Sequence, residues 1–138
     1  MNFTIKSLFT DSPTSSGNIY SVECLNQICK QINSAVQKPT IQQINSTERD
    51  KKKIPAYEPI PSQVMAKITS AVVEGNSLDV ICEIKPGRNG TKLKGLVETV
   101  GIDHLEFVPV GYGNTRKSEL GNEVFNYTLK YVSVEPKQ

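Results

Sequence analysis

The chain has 138 residues, 37% apolar and 22% charged, with a net charge of +2 and three cysteines. That length suits one domain with one core of moderate size, and so small a charge gives no strong pull toward DNA or a membrane. No run approaches the roughly 18 apolar residues of a membrane span, and MNFTIKSLF lacks a long apolar stretch with a cleavage site, so no export is expected.

In chain order, Phe3, Ile5, Leu8 and Phe9 among polar residues predict an opening strand over residues 2–9, and DSPTSSGN a loop. Ser21 is placed to cap a helix with a stripe of Val22, Leu25, Ile28, Cys29, Ile32 and Val36, leaving Asn26, Gln27, Lys30 and Gln31 mostly outward. Thr40–Ile44 suits a short strand. From Ser46 to Pro61, three prolines and seven charges within sixteen residues predict a long exposed loop. Its Arg49, Lys51, Lys52 and Lys53 lie among acids, so a solvated charged loop outweighs a docking patch.

Residues 66–73 and 78–84 read as a hairpin around Gly75, the second strand alternating Leu78, Val80, Cys82 and Ile84 with acids. A helix follows the Gly87–Gly90 turn, with Asn89 or Thr91 as cap. Its buried face is Leu93, Leu96, Val97 and Val100, and Gly101 ends it. His104–Gly111 and Val124–Val134 read as strands, and the polar stretch 111–123 between them as a second loop. The expected fold is therefore a single α+β domain, with a mainly antiparallel sheet of about six strands and two short helices.

Chemistry is hard to find in these residues. His104 is the only histidine, with no nucleophile near it in sequence. Cys24, Cys29 and Cys82 are an odd set without C-x-x-C spacing. Cys24 and Cys29 sit roughly 140° apart on a helix, so buried thiols in a reducing compartment are the expectation, not a disulfide frame or zinc site. Glu98, Asp103 and Glu106 have no reason to converge. GRNGTK lacks phosphate-loop spacing, and the sparse aromatics are not interleaved with a basic stripe. No catalytic residue, metal or cofactor is expected, and neither a membrane nor a specific nucleic acid as partner.

The order of segments nevertheless resembles the prohead (capsid maturation) proteases of tailed phages over residues 17–134. GNIYSVECLNQICKQI is similar to their early strand and helix. LDVICEIKP is similar to the strand before their G-x-x-L-x-x-x-I/V helix, which GTKLKGLVETVG matches. FVPVGYG stands where their strand carries the nucleophilic serine and glycines, and NEVFNYTLKYVSVEP resembles their closing strand. Against that pattern, Phe107, Val108, Pro109 and Val110 fill the serine's place, and Ile44-Asn45-Ser46 holds no histidine.

The resemblance with both catalytic groups missing implies a non-enzymatic virion protein, a capsid decoration component assembled in the host cytoplasm. Its implied partner is the major capsid protein, with several copies on one shell. The contacts would come from the two loops through Tyr57, Tyr112 and Arg116, with the basic run at Arg49 and Lys51–Lys53 beside them. Two other readings stay open. One is a divergent protease using His104 with Ser118 or Ser133; the other is a small inhibitor or adaptor of a host protein.

Overall fold

A computed structural model describes residues 2–14, 17–43 and 58–136. Its strands are β1 (Asn2–Thr10), β2 (Asn18–Tyr20), β3 (Thr40–Gln42), β4 (Val64–Glu74), β5 (Ser77–Ile84), β6 (Leu105–Ser118) and β7 (Gly121–Pro136). The helices are α1 (Val22–Ser34) and α2 (Arg88–Thr99). Two single 3-10 turns, Pro61–Gln63 and Ile102–His104, lead into β4 and β6. The α+β class holds, with seven strands among the described residues and a mixed sheet.

The sheet runs β1-β5-β4-β3-β7-β2, and β6 pairs with β7 along nearly its whole length. Ladders β1–β5, β5–β4, β4–β3 and β6–β7 are antiparallel. Strands β2 and β3 both run parallel to β7, at Asn122–Val124 and Val132–Ser133. A strand has only two edges and β6 takes one, so β2 and β3 share the other, joined by α1. Both parallel pairings are made by three-residue strands, so the sheet is mainly antiparallel, as expected.

Helix α1 begins as its sequence dictates: the Ser21 hydroxyl accepts from the Cys24 N–H at 3.2 Å. Cys24, Leu25, Ile28 and Ile32 are buried against the sheet. The helix ends two residues before Val36, which is 104% exposed and no part of the stripe. Lys38 closes the end, its Nζ donating to the Ile32 and Asn33 carbonyls at 2.9 and 3.2 Å.

Two carboxamides on α1 complete the sheet where strands run out. Gln31, expected to face outward, donates to the Tyr127 carbonyl at 2.6 Å and accepts from the Leu129 N–H at 2.9 Å. This is the stretch of β7 between its β2 and β3 ladders. Asn33 does the same for β4, donating to the Ala71 carbonyl at 2.8 Å and accepting its N–H at 2.9 Å. Buried Gln42 accepts from the Ile60 N–H at 2.9 Å. Backbone groups left in the interior without such partners would each be costly.

Helix α2 starts earlier than expected. Gly87, at φ +109°, takes the cap position, while Asn89 donates to the Ser62 carbonyl and Thr91 to the Gly87 carbonyl. Of its expected apolar face only Leu93 is fully buried; Leu96 and Val97 are half-buried, and Val100 is 37% exposed. Gly101, at φ +89°, ends it.

The largest departure lies between residues 111 and 123. No polar loop exists there: β6 and β7 continue as an antiparallel hairpin to the pair Ser118–Gly121, turning at Glu119-Leu120. Every β6 residue from Tyr112 to Ser118 is exposed, so no hydrophobic alternation marked that strand in the sequence. Residues 44–57, which hold most of the other expected loop, lie outside the described residues.

Candidate functional site

Strand β6 carries the segment on which the resemblance turns. Phe107, Val108, Pro109 and Val110 pair with Val134, Ser133, Val132 and Tyr131 of β7 in unbroken register. Phe107 packs against the core and Pro109 is buried. Proline has no N–H, so Pro109 fits the ladder only with its nitrogen turned from β7. None of these four side chains has a proton to give or a lone pair to attack with.

Beside this segment, a shallow hollow of about 350 Å³ is lined by Pro109, Val110, Gly111, Asn18, Tyr20 and Tyr127. Its polar groups are mainly phenols. Burial, with the nearby Cys24 adding to it, pushes the Tyr20 phenol above its ordinary pKa. Tyr20 stacks on Phe9 at 6.4 Å and meets Tyr127 edge-on at 5.6 Å, so the rings belong to the core. Gly111 and Gly113 open no ligand space. A Cβ on Gly111 would strike the Thr128 carbonyl, and one on Gly113 would sit 3.0 Å from the Tyr127 Cα.

His104 ends the 3-10 turn before β6, exposed, its N–H donating to the Gly101 carbonyl at 3.0 Å. Ser118 stands at the far end of the same strand, on the order of 40 Å away along the chain. Ser133 is 7% exposed in the β7 ladder opposite Val108, roughly 13 Å from His104 by strand rise. Neither serine is within hydrogen-bond reach of the histidine. Glu98, Asp103 and Glu106 form no cluster, and among the described residues no three His, Cys, Asp or Glu side chains are grouped to hold a metal. No described helix is long and apolar enough to cross a membrane.

The expected contact residues divide in two. Arg49, Lys51, Lys52, Lys53 and Tyr57 lie outside the described residues, as do Ile44, Asn45 and Ser46. Tyr112 and Arg116 both lie on the β6–β7 hairpin. Tyr112 is 52% exposed near its base, and Leu120 is 76% exposed at its tip. Arg116 pairs with cross-strand Glu123 at 2.9 Å, and its guanidinium lies 5.0 Å from the centre of the Phe125 ring. That hydrogen bond pulls the Glu123 carboxyl below its usual range. Leu120 was missed as a surface residue; the Ser118–Gly121 spacing around two residues was the one available hairpin signal.

No family model and no curated protein matches the sequence. Among solved structures, the chain is similar to the bacteriophage T4 capsid assembly protease, gp21. The TM-score is 0.69 at 18% identity, over 95% of this chain and 79% of that one. The chain therefore has a prohead-protease-like fold.

Proposed function

We propose that this chain is a non-enzymatic structural protein of a tailed-phage virion, a decoration component that binds the capsid shell. The observation that carries the reading is the apolar segment Phe107–Val110 on β6, where the family resemblance calls for a serine. Removing nucleophile and base together leaves such a scaffold no route to acyl transfer. The fold is shared with a protein described as a capsid assembly protease, which makes the shell the natural partner for a scaffold kept without its chemistry.

The hairpin is the described element best suited to reach a neighbouring subunit. It presents an aromatic, an exposed leucine and a guanidinium held by Glu123 and the Phe125 ring, the residue types that anchor interfaces. Many symmetric copies make even a modest contact hold.

Co-sedimentation with capsids stripped of this protein tests the proposal. Wild type saturates the shells, and Tyr112→Ala with Arg116→Ala weakens binding at least about tenfold, or about 1.4 kcal/mol. The variant keeps its thermal midpoint, since both side chains are exposed. Undiminished binding by the variant, or cleavage of capsid precursor by wild type, contradicts the reading.

A further inference from the structure

Between Glu83 and Glu98 the chain carries four cations, Lys85, Arg88, Lys92 and Lys94, and no acid. That run alone has twice the net charge of +2 found for the whole chain, so the remainder is net negative. All four side chains are exposed, and among the described residues none of them has an ion-pair or hydrogen-bond partner.

Three of the four stand on α2. Arg88 and Lys92 are one turn apart and share a side of the helix, whose second half holds Gly95, Leu96 and Thr99. Leu96 is half-buried, and Val100 at the margin is 37% exposed. The residues that α2 buries toward β4 and β5, Gly90 and Leu93, lie about 100° or more round the helix from Lys92. Glu98 lies about 120° away, on the other flank. Gly95 is unexplained by the fold. Glycine is a poor helix former, yet φ here is not positive, and a Cβ would meet nothing within 4 Å. What it permits is close approach from outside.

We propose that this side of α2 is a docking face for an acidic helix of a partner protein. Carboxylates four residues apart on the partner meet Arg88 and Lys92, whose spacing they match, and its apolar residues lie over Gly95, Leu96 and Val100. Lys85 and Lys94 widen the positive field, which speeds encounter more than it adds affinity. Charge argues against a second copy, because a symmetric pairing would set these cations against each other. The exposed apolar half argues against nucleic acid, as does the lack of any aromatic between residues 58 and 106 to stack on a base. This inference requires neither the hairpin nor a capsid.

Two labelled helical peptides probe it, each with a leucine face, one bearing glutamates and the other lysines; duplex DNA is the third probe. Fluorescence anisotropy follows binding to the full chain, and amide resonances locate it. The glutamate peptide binds at least about tenfold tighter than the lysine peptide and shifts residues 88–100. Arg88→Glu with Lys92→Glu weakens it at least about tenfold at an unchanged thermal midpoint, since both side chains are exposed. Gly95→Gln weakens it too, while raising the midpoint through better helix propensity. Undiminished binding by either variant overturns the proposal, because the peptide would then rest elsewhere. So does DNA bound as tightly as the glutamate peptide, which would make a nucleic acid the occupant. A shift of the same resonances on concentrating the protein alone overturns it in favour of a second copy.

Discussion

At the residue scale, the thiols have the most definite chemistry. Burial pushes the pKa of Cys24 up to about 11 and of Cys82 up to about 12, from an ordinary 9.0. Between about pH 9 and 12 the unfolded chain gives up these protons first. Stability is therefore fully present below pH 9 and falls as pH rises through the folded values. The urea midpoint is expected to drop between pH 8 and 10.5, and to drop less in Cys82→Val; a drop of equal size would contradict the burial argument. Gly111 offers a second check at this scale. Its Cβ would meet the Thr128 carbonyl, so Gly111→Ala is expected to destabilise by about 2 kcal/mol or more, because backbone must move. Denaturant titration reads this directly.

At the element scale, α1 does more than cover the sheet. Gln31 and Asn33 serve backbone groups of β7 and β4, the first bond part-buried and the second exposed. Gln31→Ala is expected to cost about 1–3 kcal/mol and Asn33→Ala less, since water replaces the lost partner more readily at the exposed site. Helix α2 makes a similar contrast: Leu93→Ala removes a fully buried side chain and costs about 2–5 kcal/mol, whereas Val100→Ala stays within about 0.5 kcal/mol. Equal costs within either pair would show that the helix is seated differently. The same elements show what could be read in advance. The α1 stripe, the β4–β5 hairpin and the end of α2 at Gly101 were legible because apolar spacing, a turn glycine and a positive-φ residue each leave a local mark. Strand β2 was missed, and β3 read longer than it is, because three residues carry no period. The outer part of the β6–β7 hairpin was missed because β6 is exposed from Tyr112 onward, and a strand without a buried face looks like a loop. The closeness of β1 and β6 was not readable, because it arises from the curl of the whole sheet.

At the scale of the whole molecule, the prohead-protease-like fold and the side chains on β6 point in different directions. The fold is that of a capsid assembly protease, while the described side chains bring no nucleophile and base together. On the proposed reading surface carries the function, and this chain offers an exposed hairpin. Quantitative mass spectrometry of purified virions tests the proposed decoration role most directly. A decoration role predicts many copies per particle, in a fixed ratio to the major capsid protein, with capsid precursor processing unchanged when the gene is removed. Absence from the particle, or presence at only a copy or two, would contradict it.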